Sequence, residues 1–207
     1  MVQMFGMKIL LTLFVLLFSS CVIAEDISDF QIEGISIGDS LLDYIAEKEI
    51  QKEIEATKYM YDDLEQGRFG EVYKYDGLAT YDYISFFVNI DLESKSISKK
   101  NDKDNKFIIY SILGTIDFID DIRGCQKKQN EIVEEFSAIL KNVKKIDHSW
   151  SDAEGSYNKV DFIFPSEDRI QVMCYDYKES ITNKYGWDDG LDVVIKTDEV
   201  YQWLLNK

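Results

Sequence analysis

Apolar and polar positions recur along this chain in patterns that predict most of its elements. An apolar run from Ile9 to Phe18 follows Lys8 and ends in Ser19, Ser20, Cys21, Val22, Ile23 and Ala24. Phe30 and Ile32 alternate with polar neighbours as a short strand, and the glycines of Gly34-Ile35-Ser36-Ile37-Gly38 place a turn behind it. Leu41, Leu42, Ile45 and Ala46 form the stripe of a short helix capped by Asp39 or Ser40. Glu47–Thr57 either continues that helix or starts a second one. Tyr81–Ile90 alternates as a strand, and the Phe-, Ile- and Tyr-rich run Lys106–Phe118 reads as a central one.

The clearest helix spans Ile122–Val143. Cys125, Ile132, Val133, Phe136, Ile139, Leu140 and Val143 fall on one face at three- and four-residue spacing. Asp120 and Asp121 suit its positive end, and Lys141, Lys144 and Lys145 its negative end. Lys159–Phe164 and Arg169–Tyr177 form a hairpin around Pro165-Ser166-Glu167-Asp168. Leu191–Ile195 is the last strand. Thr197 or Asp198 then caps a terminal helix carrying Val200, Trp203 and Leu204. Polar loops are expected over 92–106 and 146–152.

Hairpins and short connections dominate this order, and a repeating strand–helix alternation is absent. The expected fold is therefore α+β: an antiparallel β-sheet with one long helix, about 122–143, packed on one face, a short N-terminal helix and a C-terminal helix. With one proline and no linker or internal repeat, a single domain over 25–207 is expected after a leader at 1–24.

The leader has a positive n-region, a short apolar centre and a small-residue end, the layout of a secretory signal peptide. Val22 and Ala24 fit the positions read before cleavage, which would fall between Ala24 and Glu25. The run falls short of the roughly 20 apolar residues of a membrane span. Initiation at Met7 would give a tidier leader than Met1 or Met4. Phe18-Ser19-Ser20-Cys21 also resembles a bacterial lipobox, with Phe18 in place of the usual Leu. The alternative is thus a lipoprotein anchored through Cys21.

Charge narrows the partners. The net charge of −16 and the presence of only three arginines, Arg68, Arg123 and Arg169, exclude a phosphate-binding surface and hence nucleic acid. Anionic membrane surfaces are disfavoured for the same reason. Acidity serves solubility and admits cationic ligands. Without the leader two cysteines remain, Cys125 and Cys174. An even count in an oxidising compartment reads as a disulfide, against two buried thiols or one reactive thiol. Cys125 heads the apolar face of the long helix, while Ile170, Val172 and Cys174 share one side of a strand, so a Cys125–Cys174 bridge is expected if that side meets the helix.

Catalytic chemistry finds little support. His148, the sole histidine, has Asp147 and Ser149 only as chain neighbours and reads as a surface residue. Neither Asp102-Lys103-Asp104 nor Asp188-Asp189-Gly190 keeps a calcium-loop register, and zinc would lack ligands. Carboxylate pairs of the glycosidase kind are too easily supplied by so acidic a chain to point anywhere. No nucleophile elbow, phosphate loop or metalloprotease motif is present, so neither a metal nor a cofactor is expected. Tyr-x-Tyr occurs at Tyr59/Tyr61, Tyr73/Tyr75, Tyr81/Tyr83 and Tyr175/Tyr177. On a strand each pair shares a face. Tyr73, Tyr75, Tyr81, Tyr83, Tyr175 and Tyr177 are therefore a candidate aromatic binding surface, although strands also favour tyrosine for its own sake.

Residues 24–30, Ile32-Glu33-Gly34, residues 36–44, residues 125–135 and Cys174-Tyr175-Asp176-Tyr177 resemble a family of small uncharacterised exported proteins of marine bacteria with compact genomes. The resemblance implies export and a single domain, and brings no activity, cofactor or site residue. The expected function is a non-catalytic periplasmic or secreted protein that binds a protein, peptide or small molecule. The alternative is an extracytoplasmic hydrolase with an unrecognised carboxylate site.

Overall fold

The computed structural model describes residues 26–61, 68–90 and 106–206. The leader, the Ala24–Glu25 junction, Cys21 and nearly all of the expected 92–106 loop lie outside the described residues. The fold is α+β, with four α-helices and a seven-stranded antiparallel sheet among them.

A small hairpin opens the described chain. It pairs β1 (Gln31–Ile32) with β2 (Ile35–Ser36) around Glu33-Gly34, both at positive φ. The short helix at 41–46 is a single 3-10 turn, Leu41–Asp43, and α1 (Glu47–Thr57) is a separate helix. The main sheet then collects β3 (Phe69–Lys74), β4 (Tyr83–Asn89), β5 (Ile109–Asp117), β6 (Lys144–Ser151), β7 (Gly155–Ile163), β8 (Arg169–Tyr177) and β9 (Gly190–Lys196). Its spatial order is β3-β4-β5-β9-β8-β7-β6. The last strand inserts between β5 and β8, so the centre of the sheet forms from residues far apart in sequence.

Register explains why the sheet is stable. Val72, Phe86, Ile112, Ile195, Ile170 and Phe162 lie opposite one another in turn, one residue per strand across six strands. All six are essentially buried. Strand alternation puts their neighbours on the other face, which is consequently free to be polar.

The helix α2 (Ile122–Ile139) starts at Asp121, whose Oδ1 accepts the Gly124 N–H at 2.9 Å. Cys125 is joined to Cys174 of β8, with Cα atoms 6.0 Å apart. One turn on, the buried Gln129 amide donates to the carbonyls of Asn158 and Val172, at 2.8 and 3.0 Å. The expected extension of this helix to Val143 is corrected. Leu140 is already extended, and the chain turns into β6, which carries Lys144 and Lys145. Leu140 and Val143 still pack on the core, but from irregular chain. Apolar spacing therefore ran past the true end of the helix.

The loop expected at 146–152 is also corrected. Residues 146–151 belong to β6, which pairs with β7 along its whole length, and only Asp152 lies in the turn that follows. As an edge strand β6 is solvated almost throughout, so no apolar alternation marks it. The strand β3 and the short helix α3 (Glu179–Tyr185) were not anticipated. The terminal helix α4 (Asp198–Leu205) begins where expected, with Thr197 as its cap.

Candidate functional site

The sheet face opposite the apolar row divides into three zones. At one end α4 covers it: Trp203 packs on Phe69, Phe87 and Tyr61, with ring centroids 5.4–5.8 Å apart. In the middle lie polar and ionisable side chains that partner one another. Asp161, almost fully buried, stands 3.2 Å from both Lys159 Nζ and His148 Nε2, and accepts the Gln171 amide at 2.5 Å. Arg169 stacks on Tyr201 of α4, 3.3 Å from the ring centroid, and lies 3.5 Å from Asp198. Lys196 shares this zone, and burial, then Lys159 and Arg169, push its ammonium down to about 8. His148 is thus exposed as expected, but on a strand and against a buried carboxylate.

The far end is aromatic. Tyr73, Tyr75 and Tyr83 meet with centroids 5.8–6.1 Å apart. Across the sheet Tyr175 and Tyr177 meet at 5.3 Å. Tyr177 continues to Trp187 at 5.4 Å and to Tyr157 at 6.2 Å, and Tyr157 stacks on Trp150 at 4.9 Å. Two clusters of rings therefore flank the central strands. Between them the register places Thr115 beside Asp192 and Asp117 beside Gly190. A Cβ at Gly190 would fall 2.6 Å from the Tyr175 hydroxyl, so the absence of a side chain there lets Tyr175 lean across to Asp192.

Carboxylates of this face are built in from below. Asp192 Oδ1 accepts the Thr115 hydroxyl at 2.7 Å and the Tyr175 hydroxyl at 3.2 Å. Burial outweighs those hydrogen bonds and raises Asp192 to about 6. Asp117 is also raised, by burial and then by Asp82 and Asp188. Glu71, toward the covered end, accepts the Tyr61 hydroxyl at 2.6 Å and is raised by burial despite its hydrogen bonds to Tyr61, Ser85 and Tyr73. The tyrosines respond in kind. Burial, then Asp192, holds Tyr175 well above its ordinary value, and Tyr177 is pushed up to about 12.

Not every expected tyrosine arrives. Tyr81 is a correction: it precedes β4, and its ring lies over Gly114 against the apolar core rather than beside Tyr83. A Cβ at Gly114 would sit 2.6 Å from that ring, so the missing side chain makes the slot. Tyr59 and Tyr61 lie on a 3-10 turn, not a strand, and diverge: Tyr59 is exposed while Tyr61 reaches Glu71. Tyr157, Trp150, Trp187, Asp117, Thr115 and Asp192 were not singled out from sequence. The register of β5 to β9 assembles five of them, and Trp187 joins from the loop before β9. Among the described residues no group of three or more His, Cys, Asp or Glu stands where it could hold a metal ion, and no helix is long and apolar enough to cross a membrane.

Chemically, this end offers flat ring faces, hydroxyls and carboxylates that have no ion-paired lysine or arginine among the described residues. That combination binds through stacking, hydrogen bonds and charge. Comparison with models of known families, with curated proteins and with solved structures finds no match to this chain.

Proposed function

We propose that this chain is a non-catalytic binding protein of the periplasm or the extracellular medium, and that the aromatic end of the sheet is its ligand face. On this reading the leader is removed after Ala24, α2 lies across the opposite face and closes the core, and the resemblance to small exported proteins of marine bacteria reflects kinship. The observation that carries the proposal is the pair of ring clusters flanking Asp192. The outer rings of these clusters stay accessible, Tyr75 at 66%, Trp187 at 42%, Trp150 at 41% and Tyr185, which stacks on Trp187, at 50%, while Tyr175 itself is buried beneath them. Large aromatics in such a group mark interaction surfaces. The Cys125–Cys174 bridge supports an oxidising compartment.

The test uses the native protein. It is exported from a bacterial host, purified without denaturant and then denatured, and the released small molecules are identified by mass spectrometry. A molecule retained by the wild type and lost from the Tyr83→Ala/Tyr175→Ala variant is the expected result. Equal blanks, or equal retention, would remove the ring clusters as a ligand face. The same protein reports its N-terminus: Glu25 is expected, whereas an acylated Cys21 would establish the lipoprotein instead.

A hydrolase is the second reading, favoured by one observation. Asp192 is raised to about 6, and Asp117 is its diagonal neighbour on the adjoining strand. Diagonal neighbours have backbones ~7–8 Å apart, which lets two carboxyl groups take up the spacing of acid and base in inverting glycosidases. Activity on polysaccharides lost in both Asp192→Asn and Asp117→Asn would establish it and displace the binding reading.

A further inference from the structure

We propose that two copies of this chain pair along β6, antiparallel about a two-fold axis at His148, and join their sheets into one. The two edges of the sheet are finished differently, and this selects a second copy as the partner. At one edge β3 is buried over its first four residues, and the Thr57 hydroxyl of α1 donates to the Glu71 carbonyl at 2.9 Å. At the other edge no described strand lies beyond β6, which is exposed at every position except the half-buried Ile146. An open edge of this length is a template for another strand. Each copy has one such edge. Two copies close it between them, and the joined sheet then ends on both sides at a covered β3, so pairing stops at two.

The backbone sets the register. The Asp152 N–H donates to the Gly155 carbonyl at 3.0 Å, while on the β8 side the Lys178 N–H donates to the Glu154 carbonyl at 2.8 Å. Asp152 therefore faces β7. The β6–β7 pairing has no shift, so alternation turns the amides and carbonyls of Lys145, Asp147, Ser149 and Ser151 outward. Outward residues oppose only outward residues, which leaves two symmetric registers that overlap seven of the eight β6 residues. One is centred on Asp147 and sets that carboxylate against its own copy, a destabilising like-charge pair. The other is centred on His148. It sets Asp147 against Ser149, Lys145 against Ser151 and Ile146 against Trp150, and brings Lys144 to Asp152 of the second copy. Asp152 Oδ1 accepts two N–H groups of its own turn, at 2.8 and 3.0 Å, and Oδ2 is open to that lysine. On the axis His148 meets its own copy, each imidazole held by its own Asp161 at 3.2 Å.

Charge favours this edge over the rest of the surface. At −16, two copies repel one another on most approaches. On β6 two lysines, Lys144 and Lys145, stand against one acid, Asp147, which already lies 3.8 Å from Lys145. Lysine commonly keeps edge strands apart, but here Lys144 gains a carboxylate at the far end of the copy's strand. Trp150, stacked on Tyr157, supplies an aromatic partner for the β-branched Ile146, a cross-strand pair that sheets favour. The pairing is independent of whatever the aromatic end binds, since Asp192 lies on β9, three strands in from β6.

The test uses the full exported chain with its disulfide intact. Sedimentation equilibrium is expected to show monomer and dimer only, with a dissociation constant of ~100 µM or tighter. Asp147→Pro and Ser149→Pro each remove an outward N–H while leaving the β6–β7 ladder whole. Each is expected to weaken the dimer about tenfold or more with an unchanged circular dichroism spectrum, and either serves if the other does not fold. On mild oxidation His148→Cys, which faces itself across the axis, is expected to link two chains, and Asp147→Cys is not. A chain that stays monomeric to ~1 mM, or a dimer that the folded proline variants leave at full strength, overturns the proposal. Linkage through Asp147→Cys but not through His148→Cys overturns the register that carries it, and growth into larger species overturns closure at two.

Discussion

The two faces of the seven-stranded sheet are built on opposite terms. On one, six apolar side chains in register and a disulfide to α2 leave no titratable group in the row. On the other, one residue further along each strand, the same backbone carries Tyr73, Ser85, Gln171 and Asp161. The difference teaches where each kind of energy is held. The apolar face is stabilised by dehydration and chain linkage, both insensitive to pH. The polar face holds charges at a cost, and Asp192 and Lys196, four residues apart on β9, are the clearest cases. A face that keeps half-buried charges and accessible rings is less stable than an apolar one would be, as the proposed binding role would require.

The largest break in this comparison comes from the closed face. Replacing both Cys125 and Cys174 by Ser releases a bridge between residues 49 apart, and should cost about 4 kcal/mol. Chemical denaturation against the wild type measures it, and a loss under ~1 kcal/mol would show that packing alone holds α2. Next is Tyr81→Ala. Because the ring fills the slot over Gly114, it should lose about 2–3 kcal/mol with no effect on any ligand. An effect of the opposite kind would return Tyr81 to the open face.

Asp192→Asn and Lys196→Met sharpen the comparison in the other direction, since both should raise stability. Asp192 is raised above its unfolded value, so its favourable contribution is full below about 4 and is lost as pH rises through about 6. The Asn variant should therefore gain roughly 2 kcal/mol at pH 8 and nothing at pH 4. Lys196 is depressed, so the protein is penalised below about 8 and relieved only as pH climbs through 8 toward 10.5. The Met variant should gain roughly 2 kcal/mol at pH 7, shrinking in alkali. Thermal melts across pH read both, and a flat difference profile would contradict the burial argument. The smallest effect is Tyr75→Ala. At 66% exposure it should change stability by no more than ~0.5 kcal/mol, while still weakening the ligand. A larger loss of stability would mean that the Tyr73–Tyr75–Tyr83 cluster is structural.

How much of this was legible in the sequence differs element by element. The hairpin at Pro165–Asp168, the cap at Thr197 and the start of α2 at Asp121 were readable because turn and capping chemistry are local. The end of α2 was not, because Leu140 and Val143 keep the helical spacing while packing from extended chain. The strand β6 was not, because an edge strand can be polar on both sides. Of the tyrosine pairs, Tyr73/Tyr75 and Tyr175/Tyr177 keep the shared face that period-two alternation gives, and Tyr81/Tyr83 does not, because the Tyr81 ring turns into the slot over Gly114.

By itself the sequence determined the α+β class, the acid balance, the antiparallel pairing of neighbouring strands and the two cysteines able to bridge, since each depends on composition or on residues a few positions apart. Tertiary structure alone decided that β9 lies between β5 and β8, and hence that Asp192 meets Thr115 and Tyr175 between two clusters of rings. That meeting joins residues up to 77 positions apart. Local propensity carries no information over such a distance. It is set by which apolar rows can be stacked in register, and the polar face takes its arrangement from the solution found by the core on the other side.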